Sequence, residues 1–237
     1  MDPLFDVALS ESSFGFDNRL LAGMKKLKFT HATLVQAHAW PLALAGKDLM
    51  VRARTGSGKT AAYVLPILHK ILKAASIASN GSSLKNIQVL ILVPTTELVS
   101  QVCSQIKTLA SVCPEITTER LNHDEDASTI ALLKHVPDIV VGTPGKMVHF
   151  LPQLDLTCIH TIVVDEADLV LSYGYEQDVK TVFTTLPKIC QSFLMSATLS
   201  PELDALKRTL LHNAATVKLE EGAADGNLKQ FFIPGRF

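Results

Sequence analysis

Two short stretches carry residue types suited to phosphate chemistry. Ala53-Arg54-Thr55-Gly56-Ser57-Gly58-Lys59-Thr60 follows an apolar run and opens a segment of helical period over residues 60–72. That is the setting a phosphate-binding loop needs. Gly56 and Gly58 let the backbone turn its amides toward phosphate oxygens, and the helix N-terminus adds a favourable dipole. Lys59 would then reach the outer phosphates and the Thr60 hydroxyl would ligate Mg2+. The second stretch is Asp165-Glu166-Ala167-Asp168, at the end of the apolar run Thr161-Ile162-Val163-Val164. Asp165 is the natural magnesium carboxylate, and Glu166 is placed to polarise a water attacking the terminal phosphate. Together these residues predict a nucleoside triphosphate site, with Lys59, Asp165 and Glu166 as its catalytic group.

Such residues work only if a framework brings them together. Short runs rich in Val, Ile and Leu at residues 48–52, 87–93, 138–141, 159–164, 192–195 and 216–219 alternate with stretches of helical period. That alternation predicts an α/β fold of strand-helix units around a parallel sheet. Most of the runs are apolar at every position, as strands covered on both faces are. Leu98, Val102, Ile106 and Leu109, and further on Leu203, Leu206 and Leu210, mark core-facing helix stripes. Residues 74–83, small and polar, are expected to form a surface loop, and residues 222–226 a second linker.

Composition narrows the classes. The chain has 237 residues, 47% of them hydrophobic and 19% charged, enough for one large core. A formal net charge of −1 supplies no global basic field, so contact with nucleic acid must come from a local surface. The four cysteines, Cys103, Cys113, Cys158 and Cys190, lie too far apart for a metal knuckle or a disulfide framework, which fits a reducing compartment. No apolar run approaches a membrane span, and the first residues lack a signal-peptide pattern.

The loop at residues 55–60, the Asp165 to Asp168 box and Ser196-Ala197-Thr198 together resemble, in order and spacing, the first RecA-like domain of the DEAD-box RNA helicases. The resemblance covers residues 14–219 and implies a RecA-like (P-loop NTPase) fold over residues 1–222, with residues 223–237 starting a linker or tail and no second RecA-like domain following. It also implies a glutamine motif in which Phe29 stacks on adenine and Gln36 reads its edge, favouring ATP over GTP. Lys28 and Ala32 stand where the family has Gly and Pro, and its upstream aromatic could only be Phe14 or Phe5. Ser196 and Thr198 would couple the acidic box to RNA-dependent movement by hydrogen bonds reaching Asp168, although both hydroxyls could equally cap the helix starting near Pro201.

RNA is expected to be held by its phosphate-sugar backbone, with little sequence preference, on Pro94-Thr95-Thr96 and Thr143-Pro144-Gly145-Lys146. Two positions depart from the family: Thr96 replaces a basic residue, and Lys146 an Arg. The family's glycine pair is also missing around residues 121–124. Residues 41–49, 52–54, 163–169 and 193–198 further resemble the nucleolar subgroup acting in large ribosomal subunit assembly, which implies a nuclear, nucleolar monomer working with pre-ribosomal proteins. Two classes stay open: the ATP-binding half of an RNA helicase, active when joined to a second domain, or a short form that binds ATP, RNA or an assembly partner without turnover.

Overall fold

The computed structural model describes residues 7–8, 14–77, 85–121, 135–198 and 200–219. Its centre is a seven-stranded sheet in the order β5-β6-β4-β7-β8-β3-β9. The strands are β3 (Leu49–Arg52), β4 (Val89–Leu92), β5 (Thr118–Arg120), β6 (Ile139–Gly142), β7 (Thr161–Val164), β8 (Gln191–Ser196) and β9 (Ala215–Lys218). Every pairing in it is parallel. The expected α/β fold is therefore present. A separate antiparallel pair joins β1 (Val7–Ala8) to β2 (His31–Ala32).

Uniformly apolar strands divide their side chains between two cores by the two-residue period. Leu49, Val51, Val89, Ile91, Val163, Phe193 and Met195 point to one face. Met50, Leu90, Leu92, Ile162, Val164 and Leu194 point to the other. The first face is covered by α1 (Asn18–Lys26), α2 (Leu34–Leu44), α3 (Lys59–Ile77) and α4 (Thr96–Leu109). Against the second pack α5 (Pro144–Phe150), α6 (Ala167–Ser172), α7 (Glu176–Thr184) and α8 (Pro201–Leu210).

Three expectations need correction. Residues 74–77 belong to α3 and not to a loop: Lys73-Ala74-Ala75 extends a helix already formed, and Ala is the strongest helix former. Residues 78–83 of that expected loop, and the expected linker at 222–226, lie outside the described residues. Strand β5 was not foreseen, because Thr118-Glu119-Arg120 is polar and lies at the sheet edge. The helix near Pro201 is capped by Ser200, whose hydroxyl accepts from the Leu203 amide, so neither Ser196 nor Thr198 is its cap.

Candidate nucleotide and RNA site

In a parallel sheet with covered faces, the carboxyl ends of the strands are where loops from different elements meet. Here the loop after β3 and the acid box after β7 converge on one cleft. β8 lies between them, and the Ala53 amide donates to the Ser196 carbonyl at 3.1 Å, which locks the start of the loop onto the end of β8.

Gly56 and Gly58 adopt φ of +81° and +90°. At Gly58 the conformation and the space agree: a Cβ there would sit 2.5 Å from Gln36 Nε2 and 3.1 Å from Thr33 Oγ1. Lys59 opens α3 and is 5% exposed; its Nζ donates to the Ala53 carbonyl at 2.7 Å and lies 3.4 Å from Glu166 Oε1. The Ser57 hydroxyl is buried with no hydrogen-bond partner. A buried, orphaned donor beside a buried lysine in a glycine-rich turn suits a ligand rich in acceptor oxygens.

Asp165 is also 5% exposed. Its Oδ1 accepts from the Glu166 amide at 2.9 Å, and its Oδ2 from the Tyr63 hydroxyl at 2.9 Å. Burial, reinforced by the neighbouring Glu166 charge, pushes its carboxyl up to about 6, against the opposing pull of Tyr63, the Glu166 amide and Lys59. This acid is therefore short of positive charge. Among the described residues no three or more His, Cys, Asp or Glu side chains form a ready cation cage. Mg2+ ordinarily takes one or two carboxylates plus substrate phosphates, so a lone buried acid facing a phosphate loop fits it. Glu166 has φ 47° and ψ 52°, left-handed backbone that costs a non-glycine residue about 1 kcal/mol or more. That turn swings its carboxylate toward Lys59.

Asp168 sits in the first turn of α6 and accepts from both the amide and the hydroxyl of Thr198, at 3.1 and 2.8 Å. Ser196 does not reach Asp168. Its hydroxyl donates to the Thr198 carbonyl at 3.0 Å and lies 3.3 Å from the Thr198 amide, so it shapes the turn that presents Thr198.

A cavity of about 490 Å³ joins these parts, lined by Phe29, Gln36, Thr55, Gly56, Lys59, Thr60, Asp165 and Glu166 among others. Gln36 has a second task. With Thr33 it forms the capping box of α2, its Oε1 accepting from the Thr33 amide at 3.0 Å while its Nε2 donates to the Gly58 carbonyl at 3.2 Å. Lys28 takes the left-handed φ of 60° just before Phe29, the backbone for which a glycine would be the easy choice. Phe14 packs edge-on against Trp40 at 5.0 Å and joins the core.

The two loops expected to hold RNA follow β4 and β6, which are neighbours. The Val93 amide donates to the Gly142 carbonyl at 3.1 Å, tying the loops together at their base. Thr95 caps α4 through the Leu98 amide, whereas Thr143 precedes α5 without a side-chain cap bond. Pro144, Gly145 and Lys146 form the first turn of α5. Of the expected glycine-pair region only Leu121 is described; residues 122–124 lie outside. Sequence reading missed two features: Tyr63, which reads as core, and the wall that α4 gives the cavity through Gln101, Ser104, Gln105 and Thr108. Nothing in the sequence separates that wall from an ordinary solvated helix face.

A family model described as DEAD/DEAH box helicase matches residues 33–206. The chain belongs to the DEAD/DEAH box helicase family. Among its relatives, a Dictyostelium discoideum protein named probable ATP-dependent RNA helicase ddx56 is 41% identical over 97% of this chain and 34% of its own length. ATP-dependent RNA helicase DBP9 of Coccidioides immitis is 46% identical over 92% of the chain and 36% of its length. The chain thus spans about a third of the curated relatives it matches. A DEAD box protein from Methanococcus jannaschii has a similar solved structure, with a TM-score of 0.76 and 26% identity over 87% of this chain and 55% of that one. Such helicase domains share the parallel sheet and helical layers described above.

Proposed function

We propose that this chain is the ATP-binding half of an ATP-dependent RNA helicase that remodels RNA or RNA-protein complexes in ribosome biogenesis when joined to a second RecA-like domain. The observation that carries it is the convergence of the glycine-rich loop, Asp165, Glu166, Phe29 and Gln36 on one cavity at the carboxyl end of the sheet.

Arg54, Thr55, Gly56, Ser57 and Gly58 wrap the phosphates with backbone amides and the Ser57 hydroxyl. Lys59 exchanges the neutral Ala53 carbonyl and the Glu166 carboxylate for the triphosphate, which carries more negative charge than either. That exchange frees Glu166 to accept the proton of an attacking water. Thr60 and Asp165 would hold Mg2+, which would supply positive charge to offset that of the phosphates. Phe29 stacks on adenine. The Gln36 amide keeps one donor and one acceptor position beyond its bonds to Thr33 and Gly58, and these meet the base edge. Thr198 holds Asp168, so movement of the Ser196 to Thr198 turn is felt beside the acidic pair.

Pro94, Thr95, Thr96, Thr143, Pro144, Gly145 and Lys146 grip the RNA phosphate-sugar backbone with little sequence preference. Because their loops share a base, they act as one surface. Arginines from the second domain would complete the cleft, and such groups are worth roughly 10³ to 10⁵ in rate. Resemblance to the nucleolar subgroup supports pre-ribosomal proteins as partners, a nucleolar location and a monomeric state.

The test is Lys59→Ala in the 237-residue chain, read as affinity for a fluorescent ATP analogue. Binding should fall by more than about tenfold, because a buried charge-assisted contact is lost. Unchanged affinity removes the phosphate-loop assignment. Joined to a second domain, the wild-type chain should gain RNA-stimulated hydrolysis, and no gain would favour binding without turnover.

A further inference from the structure

Tyr63 has no part in the nucleotide contacts proposed above. It lies on α3 one helical turn beyond Lys59 and is fully buried within the core between the sheet and helices α1 to α4. In such surroundings a phenylalanine would pack as well, and a hydroxyl is costly unless it is bonded. The Tyr63 hydroxyl is bonded, donating to Asp165 Oδ2 at 2.9 Å across 102 residues of sequence. Thr60 lies three positions earlier on the same helix, so both residues face the same side of it. The phenol thus holds one of the two side chains to which the proposed function gives the metal. The Glu166 amide fixes the other oxygen of Asp165 at 2.9 Å. Each carboxylate oxygen therefore has one directional donor, and without Tyr63 the carboxylate would be held on one side only.

We infer that Tyr63 is a positioning residue for the metal site: its hydroxyl holds Asp165 and fixes the carboxylate orientation in which Mg2+ is taken. This rests on the reading of Thr60 and Asp165 as the metal pair. Tyr63 acts through Asp165 and not on base or phosphate, so its effect must appear in the metal dependence of nucleotide binding, not in nucleotide binding itself.

The experiment measures binding of a fluorescent ATP analogue by the 237-residue chain, first in EDTA and then across a Mg2+ titration. Mn2+ binding in the presence of ATP, followed by electron paramagnetic resonance, gives a second readout that needs no turnover. Tyr63→Phe should keep the EDTA affinity within about twofold and raise the half-saturating Mg2+ and Mn2+ about tenfold, the size expected for one hydrogen bond to a charged group. In an Asp165→Asn background the same change should have no further effect. An unchanged or tightened metal dependence overturns the inference, the latter by making the phenol a competitor of the metal. Loss of binding already in EDTA also overturns it, since the hydroxyl would then serve the fold. If Asp165→Asn alone leaves the metal dependence intact, the metal pair falls and this inference with it, whereas Asp165→Asn with an effect and Tyr63→Phe without one removes only the role of Tyr63.

Discussion

Both ends of the sheet bury carboxylates, and they use them in opposite ways. At the amino end, Asp48 is 8% exposed and accepts from the Ser192 amide at 2.8 Å and the His212 amide at 2.7 Å. Asp138, also 8% exposed, accepts from the Thr117 amide and hydroxyl and from Gln88. These acids staple chain to chain: Asp48 holds the start of β8 and the turn before β9 against β3. At the carboxyl end, Asp165 is equally buried and has as many donors as Asp48, but its neighbour is another acid, and burial and that charge push it up to about 6. The donor count does not separate a structural acid from a functional one. What separates them is where the donors come from, neighbouring strands in one case and one phenol plus the acid's own turn in the other, and whether a cavity adjoins.

Asp48→Ala should break the amino end hardest. It strands the amides of Ser192 and His212, and at about 1–3 kcal/mol per buried unsatisfied group the loss should be about 4 kcal/mol in denaturant unfolding. ATP affinity of the molecules that stay folded should not change. A much smaller loss would mean that the staple is dispensable.

Next in size is an acid-sensitive element at the same end. His160 precedes β7, and burial first, then Lys70, lower its pKa from 6.5 to about 4; its Nε2 is buried without a partner. Lys70 donates to the His160 carbonyl at 3.2 Å, and Cys190, whose thiol burial pushes up to about 12, is the other titratable group near that lysine. The folded state favours neutral imidazole, so its contribution is fully present above pH 6.5 and is lost as pH falls toward 4. The loss amounts to about 3 kcal/mol, seen as a falling unfolding midpoint. His160→Gln should flatten that dependence, and an unaltered slope would assign the acid sensitivity elsewhere.

Asp165→Asn should give the smallest change, with the opposite sign. Removing a buried charge beside Glu166 should stabilise the chain by about 1–2 kcal/mol at pH 7 while the Mg2+ dependence of nucleotide binding is lost. Destabilisation would place Asp165 with the staples and erase the contrast between the two ends.

Legibility in the sequence follows the range of the interactions. The glycine-rich loop was readable because its chemistry is packed into residues 53–60, and the central strands because they are apolar throughout. Edge strand β5 was not, since Thr118-Glu119-Arg120 has the composition of a turn. The end of α3 was misread because Ala-Ala-Ser looks like a linker until a long helix already leads into it. Tyr63 was hidden for a related reason: its spacing marks it as core, which it is, and only the fold brings Asp165 to its hydroxyl. The contact between Thr198 and Asp168 became visible through family resemblance, and the structure then showed that Ser196 shapes it without touching the acid.

Strand order also has a consequence for synthesis. β8, made late, is inserted between β7 and the much earlier β3, and it is the Ser196 carbonyl at its end that accepts the Ala53 amide at the start of the phosphate loop. A chain growing from its N-terminus therefore completes residues 53–60 long before it can anchor them. Parallel pairings between segments so distant in sequence form slowly. Nucleotide binding by nascent chains arrested at successive lengths should consequently appear as one late step, once residue 196 has left the ribosome, and not as a gradual gain after residue 60.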